Sequence, residues 1–556
     1  MIPKRSIVFL AILVVAMSAL APIGCNVLLG GGYVVGAEDG AATQPDSSTP
    51  DNYVAPTSDS GDAGTPPDTY VVDACAIVPM DKQQFESACT NASCQPFDNP
   101  GRNTNCEGGT ICPALPTPDA GATTTPDAGA PIPDGGVSCF SLTQGPAGGV
   151  MPQPIVYATG STAIQPYMAR IAQVLESLNI GSVVYLGSGS CLGVNAMLNG
   201  TPLQQVSIQN KATIPPQATY YDSVLNNGQV QSGTCYLDNP IPLPDLGISD
   251  VFPTTCDPQL ISQGGLPNTL HDFFGPVQTM ELVVPSTSME QSVSTEALYM
   301  VFGFGAGSGV TPWTNPGYLE VRASSSGTQN MIAATIGVPA TQWQGVANSS
   351  STGVLDAIID VAKGLNVDGG AGEPSYPDET MGILASDVAD PNRMYLKPLA
   401  LQDVGQSCGW YPDSTQTAFD KQNVRDGHYP IWGPSHLIAA VNTTGAPVNP
   451  AVTTVINALN GADTMVDGTL DVIQFYASSH IIPECAMHVQ RTEDGHDYAP
   501  FAPTVSCSCY YDLEATGATS CKPCKTDPDC ADAGASTTCQ TFGIPPVGYC
   551  EPPGNQ

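Results

Sequence analysis

"VRASSSGTQNMIAATIG" (321–337) places one arginine ahead of three serines and a Gly-Thr step, then opens an apolar run with helical spacing. The "YLEVRA" that leads into it has the make-up of a strand, so the stretch reads strand, polar turn, helix. A helix N-terminus presents unsatisfied N–H groups and a partial positive charge. Hydroxyls and an arginine gathered there describe a place for an anion.

Two other stretches repeat the design. "YATGSTAIQPY" sets Gly160, Ser161, Thr162 and Ala163 after a strand, with Pro166 at a first helical position. "YLGSGSCLGVNAM" sets residues 187–190 after a strand and before a helix. Around them, "PIVYATG", "DLGISD" and "MELVVP" read as strands, and "PYMARIAQVLESLN", "TGVLDAIIDVAKG" and "AVTTVINALNG" as helices. This alternation predicts an α/β fold with parallel sheets covered by helices, where ligands collect at the carboxyl ends of strands.

These segments, in this order, resemble the phosphate-binding proteins of bacterial high-affinity phosphate uptake, within the type 2 periplasmic binding proteins. The resemblance covers roughly residues 154–490 and rests on "GSTAIQP", "GSGSCLGV", "DLGISD", "STEALYMVFGFG", "VRASSSGT" and "YPIWGPSHLI". It implies two α/β lobes joined by two crossover strands, with the ligand between them. The crossings are expected near 278–285 and 428–431. The first lobe would take about 154–280 and 430–490, and the second about 285–428, of a domain spanning 154–500.

The resemblance also implies a ligand set. Thr162 would give its hydroxyl, Ala163 its N–H, and Ser190 both side chain and backbone. Arg322 would pair with the anion, and Ser326, Gly327 and Thr328 would donate from the head of the next helix. Asp250, which ends "DLGISD", would accept a hydrogen bond from a protonated phosphate oxygen; sulfate has no such proton and would be repelled. Two features depart from the family. Ser324 stands where an acidic residue commonly braces the arginine. About sixty residues, including "TIPPQATYYDSVLNNGQVQSGTC", separate the second loop from Asp250; this insertion is expected to cover the cleft, build a partner surface or alter the ligand.

The chain has 556 residues, 51 acidic and 15 basic, for a net charge of −36, which argues against nucleic acid as a partner. Lys4 and Arg5 precede the apolar "SIVFLAILVVAMSALA", and "APIGC" ends at Cys25. Residues 1–24 therefore read as an export signal. The ending resembles a bacterial lipoprotein signal, with Pro22 where such signals usually have Leu, and implies lipidation of Cys25 and a periplasmic or cell-surface address. Removing Cys25 from 19 cysteines leaves 18, which can all pair in an oxidising compartment. Five cysteines lie mid-chain, so at least one disulfide must leave that region, with the odd-numbered C-terminal group as the expected recipient.

Residues 25–153 are rich in Pro, Gly, Asp and Thr and read as a tether with a small cystine knot near Cys75–Cys112. Residues 501–556 read as a disulfide-rich tail, and its "CKPC" as disulfide rather than zinc or redox chemistry. No G-x-x-x-x-G-K-[ST], G-x-S-x-G or H-E-x-x-H motif occurs, and His428 and His436 are read as structural. The expectation is a monomeric binding protein, not an enzyme, with no metal or cofactor and with an ABC permease as partner. The rival expectation is a structural or adhesive surface protein on the same fold with a degenerate anion site.

Overall fold

The computed structural model describes residues 79–116, 136–143, 154–206, 217–226, 229–237, 243–367, 374–461, 465–466, 468, 470–495, 497–533 and 537–551. The export signal, Cys25 and most of the expected tether lie outside these residues. Among the described residues, fifteen strands run in chain order before the C-terminal region. They are β1 (Cys94–Gln95), β2 (Ile155–Gly160), β3 (Ser182–Gly187), β4 (Gln217–Asn226), β5 (Gln229–Tyr236), β6 (Leu246–Ser249), β7 (Leu270–Pro285) and β8 (Ser292–Ser294). Then follow β9 (Leu319–Arg322), β10 (Val346–Asn348), β11 (Met381–Ala385), β12 (Leu396–Pro398), β13 (Ala400–Gln402), β14 (Gly409–Trp410) and β15 (Trp432–Ala440).

One large sheet has the order β10-β9-β11-β7-β15-β6-β2-β3-β4-β5. Each flank has a parallel core: β2 pairs in parallel with β3 and β6, and β9 with β10 and β11. Between them β7 and β15 run antiparallel. Residues 270–279 of β7 pair with β15, and residues 280–283 with β11. One strand of 16 residues thus joins two α/β halves. The sequence reading took only its second part as a strand.

Each flank is covered by helices whose apolar positions recur every three or four residues. In helix Gln165–Ser177, Met168, Ile171, Ala172 and Leu175 are buried against Val156, Ala158 and Ile248. Pro166 lies in its first turn, where no N–H is needed. Val354 and Ile358 of helix Ser351–Ala362 pack on Val283 and Leu384 in the other half. Each large aliphatic side chain buried this way is worth about 1.5–3 kcal/mol.

Residues 79–116 are not a tether. Phe85 and Phe97 are in the main core, and β1 pairs antiparallel with β14 in a four-stranded sheet ordered β1-β14-β13-β8. The Phe97 amide donates to Gln402 Oε1 at 2.8 Å, Lys82 lies 2.7 Å from Asp403, and Cys94 is joined to Cys408. The low apolar content suggested a segment unable to bury itself, but it is buried by its partner surface. The disulfides include the expected link from the mid-chain group to the tail, and two upstream links besides. Of the five mid-chain cysteines, only Cys191 and Cys256 pair together; Cys408 and Cys235 pair with Cys94 and Cys139 upstream, and only Cys485 pairs downstream, with Cys507. The "CKPC" cysteines are both in disulfides, Cys509–Cys521 and Cys524–Cys539. The described residues of the long insertion form the β4–β5 hairpin, which extends the sheet beyond β3. No helix among the described residues is long and apolar enough to cross a membrane.

Candidate functional site

The site is built at the carboxyl ends of parallel strands from both flanks. From the first flank, β2 ends at Gly160 and delivers Ser161, Thr162 and Ala163; β6 ends at Ser249 and delivers Asp250. β3 leads to Ser190, the first residue of helix Ser190–Asn199. From the second flank, β9 ends at Arg322, and helix Gly327–Ile336 begins four residues after Ala323. Gly160 must be glycine: its φ is +136°, and a Cβ there would lie 1.9 Å from the Ile248 carbonyl.

Asp250 is the centre. It is 2% exposed, and its Oδ2 accepts hydrogen bonds from Ser161 Oγ at 2.6 Å and Ser190 Oγ at 3.1 Å. Its Oδ1 is buried with no partner. Burial pushes this carboxyl above its ordinary range, while the two serine hydroxyls and the charge of Arg322 pull it back. The heads of two helices meet here: a Cβ on Gly327 would lie 2.3 Å from Ser190 Oγ and 2.5 Å from Asp250 Oδ2. The positive end of each helix therefore faces the carboxylate, which helps hold a buried charge. The two flanks also meet directly, since the Cys191 amide donates to the Ser325 carbonyl at 3.2 Å.

Arg322 is 5% exposed. Its Nη1 donates to Ser351 Oγ, its amide to Gln329 Oε1 at 2.9 Å, and its Nε is buried without a partner. Burial lowers its pKa to about 10, opposed by the charges of Asp250 and Asp387. Ser324, where an acidic brace was sought, is exposed. Ser351, at the head of helix Ser351–Ala362, takes the bracing position instead.

The structure thus gathers Ser190, Asp250, Gly327 and Arg322. Ser326 precedes helix Gly327–Ile336 and makes no capping bond with its side chain; Thr328 is buried in the first turn. Thr162 turns its methyl toward Gly187, and the Ala163 amide is taken by Ser161 Oγ at 3.1 Å. Sequence reasoning missed Ser161 as a partner of Asp250, although it lies inside the quoted loop. It also missed Asp494, whose Oδ2 accepts from the Phe252 amide at 2.8 Å and Thr255 Oγ at 2.7 Å and so fixes the turn after Asp250. Disulfide Cys191–Cys256 ties that turn to helix Ser190–Asn199.

No protein-family model matches the chain, and no curated protein matches its sequence. Solved structures do. A protein described as a phosphate ABC transporter substrate-binding protein from Clostridium perfringens, with bound phosphate, is 12% identical; the match covers 59% of this chain and 99% of that one, with a TM-score of 0.37. An ABC-type phosphate transport receptor from Vibrio cholerae is 13% identical over 57% of this chain and 98% of its own, with a TM-score of 0.34. PstS from Borrelia burgdorferi is 13% identical over 60% and 99%, with a TM-score of 0.31. Scores this low leave the functional reading to the chain's own geometry.

A second polar cluster forms around Glu281 of β7. Glu281, Asp390 and Asp413 bring carboxylate oxygens within 4.8 Å of one another. Lys421 Nζ sits 2.6 Å from Asp390 and 2.8 Å from Asp413, and Arg393 lies 3.0 Å from Asp413. Two cations thus occupy the place a metal would take, and the cluster reads as an internal ion network. His428 Nε2 meets the Ala88 carbonyl at 3.0 Å and His436 Nδ1 meets Asp272 at 2.8 Å, so both histidines have structural partners.

Proposed function

We propose that this chain is an exported solute-binding protein that holds inorganic phosphate between its two α/β halves. One observation carries the reading: a buried carboxylate oxygen of Asp250 and a buried N–H of Arg322, both unpartnered, at a point where two helix N-termini meet. A protonated phosphate answers both. Its P–OH donates to Asp250, and its charged oxygens accept from Arg322 and from the heads of the helices. Sulfate supplies the oxygens without the proton and leaves Asp250 facing an anion. Thr162, Ala163, Ser190, Ser326, Gly327 and Thr328 complete the set, with the Ala163 amide released when Ser161 turns.

Binding is closure of the halves about β7 and β15, which selects the closed state. The role is delivery to an ABC permease or sensing, by a monomer anchored through lipid on Cys25. A second reading has its own observation: the site loops satisfy one another, Ala163 with Ser161 and Cys191 with Ser325, as in a surface protein that retains the fold with a degenerate site. Calorimetric titration of phosphate and of sulfate into the exported chain, stripped of anion, separates them. Tight phosphate-selective binding supports the receptor; binding of neither supports the surface protein.

A further inference from the structure

Asp387 follows β11, the strand that lies in parallel beside β9, and so stands at the same edge of the sheet as Arg322. Its Oδ1 is buried with no hydrogen-bond partner. The adjacent Ser386 is held in place, its Oγ donating to the His480 carbonyl at 2.7 Å. The groups whose charge reaches Asp387 come from every side: Asp250 from the turn after β6, Arg322 from the end of β9, Tyr167 from helix Gln165–Ser177, and Asp390 from its own segment three residues on. A second carboxylate beside an anion that already faces Asp250 would oppose binding, unless it carries a proton.

We propose that Asp387 is a further specificity residue of the phosphate site, a neutral carboxylic acid that donates its proton in a hydrogen bond to a phosphate oxygen while Asp250 accepts one. This rests on the phosphate reading above. The site then holds one donor acid and one acceptor carboxylate. It recognises HPO4(2−) through one acceptor and one donor, and no proton leaves the complex. Burial and the charge of Asp250 push the Asp387 carboxyl up to about 8, which keeps it protonated at neutral pH. Above that range the acid ionises, the donor is lost, and a repelling charge takes its place.

The test is calorimetric titration of inorganic phosphate into the exported chain at pH 7, 8, 9 and 9.5, for the natural protein and for Asp387→Asn, whose amide keeps a donor and does not titrate. The expected result is that natural-chain affinity falls roughly tenfold per pH unit above pH 8, while Asp387→Asn keeps its affinity across that span. Equal pH profiles for the two chains would overturn the role of Asp387 and leave the phosphate reading intact. So would a flat profile in the natural chain alone, which holds even if the variant fails to fold. Absence of phosphate binding by the natural chain at pH 7 would instead overturn the reading beneath it, and the role of Asp387 with it.

Discussion

Ser190 Oγ and Asp250 are bound to each other twice: the hydroxyl donates to Oδ2 at 3.1 Å and accepts the Asp250 amide at 3.1 Å. Ser190 opens a helix and Asp250 follows a strand, 60 positions apart. Their contact fixes the carboxylate so that Oδ1, and not Oδ2, remains for a ligand. Replacing Asp250 with Asn keeps the shape and turns an acceptor into a donor or a neutral carbonyl. We expect phosphate to lose about 1–3 kcal/mol relative to sulfate, roughly 5- to 150-fold in the affinity ratio. Competition calorimetry measures that ratio, and an unchanged value would remove Asp250 from the selectivity argument.

Arg322→Ala removes the buried charge that faces the ligand and leaves Ser351 without its donor. Truncating one member of a buried, hydrogen-bonded charge pair costs about 2–5 kcal/mol, so phosphate affinity should fall at least roughly 30-fold. Arg322→Lys keeps the charge but not the planar fork, and should recover only part of it. Retained affinity in the alanine variant would place the anion elsewhere.

Gly327→Ala tests closure. The added methyl would sit 2.3 Å from Ser190 Oγ and 2.5 Å from Asp250 Oδ2, so the flanks cannot meet as they do here. The clash costs about 1–3 kcal/mol, taken from the closed state. Phosphate binding should weaken by that amount, while small-angle scattering of the ligand-free chain should show a larger radius of gyration. A variant that binds and closes like the natural chain would show that this approach is dispensable.

Glu86 gives a pH signature. Burial and the neighbouring Asp403 charge raise its pKa to about 9 from an ordinary value near 4.5. A raised carboxyl contributes stability that is complete below the unfolded value and declines as pH climbs toward the folded one. The chain should therefore lose stability steadily between about pH 5 and 9, and Glu86→Gln should flatten that slope. Denaturant midpoints across the range measure it; parallel curves for the two chains would refute it.

Breaking Cys94–Cys408 by double replacement with serine should cost about 2–5 kcal/mol, because the bond closes a loop across 314 positions. Limited proteolysis should then cut within residues 79–116 while sparing the large sheet. Unaltered resistance would mean that β1 and the buried Phe85 and Phe97 hold the segment without the cross-link.

Much of this was legible from residue order. The strand–turn–helix units announced themselves through Gly-Ser turns after apolar runs, and Arg322, Asp250 and Ser190 fell where strand ends converge. What escaped was long-range. Residues 79–116 have few large apolar side chains, and their attachment runs through single hydrogen bonds and ion pairs to residues some 300 positions away, such as Phe97 with Gln402. No local pattern encodes such contacts. Asp387 escaped for the same reason: it follows an ordinary buried strand, and only the pairing of β11 with β9 brings it beside Arg322. The insertion was visible as extra length, but its hairpin form depended on an edge strand, β3, with nothing beside it to pair.

The cross-link at Cys94 has a mechanical meaning. Tension applied ahead of Cys94 passes through a covalent bond into Cys408 and the small sheet of β1, β14, β13 and β8. None of those strands carries Asp250, Ser190 or Arg322. A chain held from its N-terminal side and dragged by flow would bear the strain there, and the ligand loops would lie off the line of force.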